Sequence, residues 1–519
     1  MRNNQYILSI ILLVASLAYT LWFVFAGFGN HQDPLYWLYK YEHLEGGWMA
    51  AGTLLTGGAI VRLFGAQLLP LRIAGWACVV TAILLPYCTL LPKEQRRNPI
   101  NLFALPLTFL LMGYGAFQEF SPGTLTVLLL SALWLSATKF ETINHKFEIL
   151  TAVLAGIAVS VRFPNILALP VLLLVWRKRS LTNIPIAALT AGLVYLLGYW
   201  FIAPAPLDAA MSSHDLWAMI TKLWENGGKL AGYILMAVGV MAIGNIEKTI
   251  KGIDIRVLTG FIVGGLLFWF IAYAIKPMQW YNTDLTYLLS TLMLVMAVGS
   301  KQKELYIGAA IVMVATLGTD TAWLKLFPAV LCLLPVALAL YELKKKAYWM
   351  LVLSVLAVIV SMRMFHNSVG QSDLGRADTF SSVAPYKGIA IRAKEEQRLL
   401  QYKADVDSIR MSNVQYTISN VLALGQEMHL MRAVTGCEAA RFNEFWSNIY
   451  DSVYSAKYRE IIQTEHPVVF CSFSPQFKTK PEYKDRESRL ENMLREEGCR
   501  EIDRSKYKYM IYVYDQEIQ

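Results

Sequence analysis

Charge is scarce in this chain: Asp, Glu, Lys and Arg make up 16% of its 519 residues, whereas hydrophobic types make up 55%. Soluble domains usually carry about 25% charge, so a wholly soluble globular fold is disfavoured at the outset. Cysteine is scarce too, with 6 residues that form no CxxC pair and no Cys/His spacing of a zinc site. Cys78, Cys88 and Cys332 sit within apolar runs, and Cys437, Cys471 and Cys499 leave room for one disulfide in the C-terminal part. No G-x-G-x-x-G and no P-loop opens a helix of that part, which leaves a nucleotide cofactor without support.

The charge that is present is unevenly placed. The last 154 residues hold 43 of the 85 charged side chains, roughly 28% of that segment against roughly 12% of the first 365. This contrast divides the chain into a membrane part, 1–365, and a soluble part, 366–519. The net charge of +9 belongs to the membrane part, where 26 basic residues face 16 acidic ones, while the tail balances 21 against 22. A nucleic-acid partner is therefore not expected.

Apolar runs of 15 to 22 residues begin near Ile7, Leu68, Pro99, Gly123, Phe147, Pro164, Asn183, Gly227, Ile255, Tyr281, Glu304, Ala322 and Ala347. Most are long enough to cross about 30 Å of hydrocarbon, so the expected fold is a polytopic α-helical membrane protein with about 13 crossings. The first run lacks a small-residue cleavage site and reads as a retained helix. Alternate connections gather the positive charge. Arg2, Lys93/Arg96/Arg97, Lys139/Lys146, Arg177/Lys178/Arg179, Lys248/Lys251/Arg256, Lys301/Lys303 and Lys344/Lys345/Lys346 supply 17 of the 26 basic residues. The positive-inside rule then puts the N-terminus in the cytoplasm and, after an odd number of crossings of an inner or plasma membrane, the tail outside.

Gly46 to Gly65 is apolar but is not counted as a crossing, because it carries Arg62 and several glycines and would invert every later loop. With Asp33 to Glu45 it forms an expected external loop, 29–67, of interfacial or re-entrant helices. Pro34, Tyr36, Trp37, Tyr39 and Tyr41 suit the headgroup level. In the tail, Thr417–Leu424, Pro467–Phe473 and Tyr507–Tyr514 read as strands, and Lys387–Ala404, Ala439–Gln463 and Arg486–Glu497 as helices. The alternation predicts a small extracytoplasmic α/β domain.

Acids on the outer side cost free energy unless hydrated, paired or used. Asp33, directly past the first span, is placed to take a proton from an acceptor at the mouth of a cavity, or simply to cap the helix that Pro34 begins. Glu119 lies in a very short outer turn near the same loop. It is either a solvated turn acid or the partner with which Asp33 holds Mg²⁺ or Mn²⁺ against a phosphate leaving group. Arg72, Arg162 and Lys276 lie at outer span ends, as phosphate contacts or as snorkelling anchors. His31 borders the first loop, while Tyr281 and Asp284 open the tenth span near the outer boundary and could line the same cavity.

The order of these features resembles the GT-C superfamily of membrane glycosyltransferases, which includes protein O-mannosyltransferases and aminoarabinose transferases. The resemblance rests on Gln32-Asp33-Pro34 after the first span, on Arg62-Leu63-Phe64-Gly65, and on Leu69-Pro70-Leu71-Arg72-Ile73. The Glu119 to Thr124 turn and the run Leu154 to Pro164 continue it, and together these cover roughly the first 180 residues. The resemblance implies transfer of a sugar from a polyprenyl-phosphate donor to a protein, lipid or glycan acceptor on the outer face, with inversion. It matches Asp33 to the loop acid serving as base or metal-associated carboxylate and Glu119 to a second acid, and Arg162 falls near the basic phosphate contacts by location only. Two other classes stay open on the residues alone: a transporter or flippase of lipid-linked sugars, and a scaffold of envelope assembly.

Overall fold

The computed structural model describes residues 2–27, 33–46, 50–112, 119–140, 145–203, 249–250, 253–254, 294, 297, 302–313, 328–340, 350, 353–354, 357, 377–412, 420–425, 428–435, 438–439, 452–472, 491–504 and 509–514. Its N-terminal half is helical: α1 (Arg2–Phe25), α2 (Asp33–His43), α3 (Ala51–Phe64), α4 (Leu68–Leu90), α5 (Lys93–Arg96), α6 (Pro99–Met112), α7 (Pro122–Phe140), α8 (His145–Val161), α9 (Leu169–Trp176) and α10 (Ser180–Phe201). Among the described residues, three helical stretches are long and apolar enough to cross a membrane: Asn4–Phe25, Leu68–Leu90 and Ser180–Phe201. Each coincides with an expected span.

Cross-helix contacts fix the directions. Trp76 donates to Thr20 (3.0 Å) and Ser9 to the Pro99 carbonyl (3.0 Å), so α4 runs back along α1. Ser131 donates to the Ala82 carbonyl and Glu119 abuts Gly75, so α7 runs in the same direction as α4. Arg179 pairs with Glu148 at 2.6 Å, and Tyr195 donates to the Val159 carbonyl at 2.9 Å. Thus α8 and α10 run the same way, with residues 163–176 returning between them. The described connections consequently sort to two ends. One carries Lys93–Arg97, Lys139, Arg177–Arg179 and, through the Trp134 hydrogen bond to the Glu304 carbonyl, the start of α11 (Lys303–Val312). The other carries α2, α3, the Glu119 turn and Arg162.

Two expectations change in form. The run from Pro164 is not a plain α-helix: Phe163–Ala168 is a 3₁₀ segment and α9 follows, since prolines 164 and 170 each remove a main-chain donor. The segment Gly46 to Gly65 contains α3, whose 14 residues reach about 21 Å, less than a hydrocarbon core. The glycines of α3 let neighbours in. A Cβ at Gly57 would meet the Tyr41 ring at 2.3 Å, and one at Gly52 would meet Ser160 Oγ at 2.9 Å. Beyond residue 203, a short hairpin pairs β1 (Thr249–Ile250) with β2 (Ile253–Asp254), and α12 (Leu334–Leu340) is buried. The runs from Gly227 and Ile255 lie outside the described residues, as does the start of the Tyr281 run.

The tail begins with a hairpin of β3 (Thr379–Phe380) and β4 (Ala390–Ile391), followed by α13 (Ala393–Ser412). A mixed sheet follows, of β5 (Asn420–Gly425), β6 (Glu438–Ala439), β7 (Val468–Ser472), β8 (Cys499–Arg504) and β9 (Tyr509–Tyr514), in the order β6-β5-β7-β9-β8. The β6-β5-β7 portion is parallel and β9 and β8 are antiparallel. Helices α14 (Met428–Thr435) and α15 (Ser452–Glu465) complete the layer. The helix expected from Lys387 starts at Ala393, because Gly388 takes φ +80° and Ala390–Ile391 pair as a strand. The helix expected from Ala439 is shorter as well, since Glu438–Ala439 belong to β6 and α15 begins at Ser452. Cys471 and Cys499 are buried and form no disulfide. They stand on β7 and β8 with β9 between, about 10 Å apart in the sheet, beyond the reach of a disulfide. Cys437 lies outside the described residues.

Candidate functional site

The end of the bundle opposite the Lys/Arg turns gathers most of the sequence-marked residues that can be described. Asp33 opens α2 with Pro34 next, a start that suits proline because the first helical N–H needs no partner. Leu35, Leu38 and Tyr41 are buried and fix the inner face of α2. Tyr41 seats its ring over Gly57 of α3 and donates its hydroxyl to the Phe120 carbonyl at 2.8 Å. Burial, then the Glu119 charge, hold the Tyr41 phenol well above its usual range. One side chain therefore ties the helix opened by Asp33 to the Glu119 turn.

Glu119 is half-buried, and its Oε1 is shielded from solvent with no hydrogen-bond partner. Its backbone is held from two sides: Thr124 Oγ1 donates to its carbonyl at 3.0 Å, and Gly75 of α4 leaves room for that same oxygen. A carboxylate oxygen sequestered in this way is costly unless a proton, a cation or a substrate donor meets it. It therefore suits one oxygen position of a hard divalent cation. Among the described residues no three His, Cys, Asp or Glu side chains cluster as a metal site.

The basic residues separate. Arg162 is half-buried at the turn from α8 into the 3₁₀ segment. Thr53 of α3 and Asn165 tie down that turn by donating to the Val161 and Ala158 carbonyls, both at 2.9 Å. Arg72 is not on an open surface. It is 1% exposed, and its Nη1 donates to the Gly27 carbonyl at 3.1 Å and the Val24 carbonyl at 3.5 Å, at the end of α1. There its guanidinium caps carbonyls at the exit of α1, an end that a cation stabilises. Lys276, Tyr281, Asp284 and His31 lie outside the described residues.

Lys40 escaped the sequence reading. It is 5% exposed, with Nζ 4.6 Å from the Tyr36 ring centroid and 6.0 Å from that of Trp37. A buried ammonium over aromatic faces is a strong, partly desolvated positive charge. Its signal was the i, i+4, i+7 spacing of positions 33, 37 and 40, which share one face of α2.

An acid at a helix start, a sequestered carboxylate oxygen and cations thus lie near one end of an apolar helical bundle. No family model matches the chain, and no curated protein matches it. Among solved structures it is similar to ArnT from Cupriavidus metallidurans bound to undecaprenyl phosphate, at 11% identity over 98% of both chains with a TM-score of 0.42. The apo form of the same protein gives 12% identity over 98% of both chains and a TM-score of 0.43.

Proposed function

We propose that the chain is a membrane glycosyltransferase that moves a sugar from a polyprenyl-phosphate donor to an acceptor at the outer face. The observation that carries this reading is the Tyr41 hydrogen bond to Phe120, which joins the helix begun by Asp33 to the Glu119 turn with its sequestered oxygen. A polyprenyl tail needs apolar helix surface, and its phosphosugar needs polar groups at the interface. Both meet at this end.

In this mechanism Asp33 accepts the proton of the acceptor hydroxyl or amine while that atom bonds to the anomeric carbon. The bond from the anomeric carbon to the phosphate oxygen breaks on the opposite face, with inversion, and polyprenyl phosphate leaves. Arg162 and Lys40 supply positive charge to the departing phosphate. Mg²⁺ or Mn²⁺, where bound, would be held by Glu119 and Asp33 and would neutralise phosphate charge. The tail lies outside the membrane on the same side.

The test uses purified full-length protein with a radiolabelled polyprenyl-phosphate sugar. Release of polyprenyl phosphate that falls about 100-fold or more in Asp33→Asn supports the reading. Full release by that variant would end the assigned role, and movement of intact donor across vesicles without release would favour a transporter.

A further inference from the structure

The C-terminal part does more than sit above the bundle. Residues 377–391 form a strap across the ends of α1 and α4, where the chain departs toward Asp33. Ala390 pairs with Ala26 in an isolated parallel bridge, and its carbonyl accepts the Gly27 N–H at 2.8 Å. The Pro385 carbonyl accepts the Leu68 N–H at 3.0 Å, satisfying a donor that the first turn of α4 leaves open. Gly388, at φ +80°, passes beside Leu69. Between these two main-chain anchors stands Tyr386, fully buried, whose phenol interacts electrostatically with the Arg72 guanidinium.

Arg72 is the other half of the joint. Gly27, two residues past the end of α1, takes φ +91°, and Arg72 holds its carbonyl and that of Val24 while Ala390 holds the Gly27 N–H. The exit of α1 is thus gripped from α4 and from the tail together. The Arg398 and Glu395 charges of α13 also act on the Tyr386 phenol. Glu396 of the same helix holds the strap by accepting from Ser381 at 2.6 Å and from the Ser382 hydroxyl at 2.7 Å. Tyr386 and Arg72 are therefore buried together where main-chain hydrogen bonds join the strap to the start of α4 and to the residue pair that precedes the Asp33 loop.

We infer that Tyr386 and Arg72 are positioning residues, through which the tail fixes the exit of α1 and so the placement of Asp33 in the reaction. The inference rests on the sugar-transfer reading for its catalytic consequence but not for the joint itself. Misplacing a reacting group by about an ångström costs turnover far more than ground-state binding.

The test is hydrogen–deuterium exchange mass spectrometry on the full-length protein in detergent, for wild type, Tyr386→Phe and Arg72→Lys, with donor kinetics on the same samples. Exchange is expected to rise in peptides spanning residues 22–46 and to stay unchanged in those spanning 122–161. The turnover number should fall about tenfold with the donor KM within about twofold. Unchanged exchange at 22–46 would overturn the inference, as would a general rise across both regions or a loss confined to KM. Raised exchange at 22–46 in the variants, beside a wild type that transfers no sugar, would leave the joint standing and remove the transferase reading.

Discussion

At the scale of single residues, Glu119 and Tyr41 separate a cost of function from a cost of stability. The sequestered Oε1 of Glu119 spends solvation free energy with no partner among the described residues, as groups kept for a ligand do. Glu119→Gln removes the charge and keeps the shape. Thermal unfolding of the variant is expected to match or exceed wild type while transferase turnover drops about 100-fold; a destabilised variant with normal turnover would refute the assignment. Tyr41→Phe is the opposite case. It strands the buried Phe120 carbonyl and is expected to cost about 1–2 kcal/mol of stability in a denaturant titration. The acids were legible in the sequence because so few stand near span ends. Lys40 was not, since a lysine between tyrosines reads as a solvated face until burial is known. Arg72 was located correctly at a span end, but only packing shows that its guanidinium faces α1.

At the scale of elements, apolar run length found the starts of α4 and α6 at the expected residues and those of α7, α8 and α10 within three, because lipid-facing helices announce themselves by composition. What composition could not see was close packing. The glycines of α3 argued against a crossing, and in the structure Gly57 and Gly58 are the seats of Tyr41 and Leu44. Gly57→Ala would push a methyl to 2.3 Å from the Tyr41 ring and is expected to destabilise by about 1–3 kcal/mol. Gly192 of α10 has nothing within 4 Å of its missing Cβ, so Gly192→Ala should be neutral or stabilising by up to about 1 kcal/mol. Thermal midpoints in the same detergent compare the two, and equal effects would contradict the packing. In the tail, β5, β7 and β9 were legible as apolar runs. The edge strand β8, Cys-Arg-Glu-Ile-Asp-Arg, was not, because edge strands are protected by the charges that hide them from an apolar scan.

At the scale of the whole molecule, the tail and α2 are joined a second time. The Arg432 guanidinium of α14 stands over the Tyr39 ring at 5.7 Å, and Tyr39 donates to Glu45 at 3.4 Å. Burial and the Glu45 charge push the Tyr39 phenol up to about 12, against a smaller opposing pull from Arg432. A phenol held above its unfolded value of about 10 contributes stability that is complete below pH 10 and lost as pH rises from 10 to 12. The thermal midpoint should therefore be level up to pH 10 and decline above it, less steeply in Tyr39→Phe; equal declines in both proteins would dismiss this contact. The strap and the Tyr39 contact together set the tail at the end that carries α2 and Glu119, opposite Lys93–Arg97 and Arg177–Arg179. If the two ends face opposite compartments, Lys93→Cys and Lys387→Cys, both at exposed positions, must differ in their reaction with a membrane-impermeant maleimide. In intact cells the Lys387→Cys protein is expected to label and the Lys93→Cys protein to label only after permeabilisation, with wild type as the background for the native cysteines. Labelling of both from outside would mean that the basic turns and the Asp33 helix share a compartment, and an outer-face sugar transfer at that helix would lose its geometric basis.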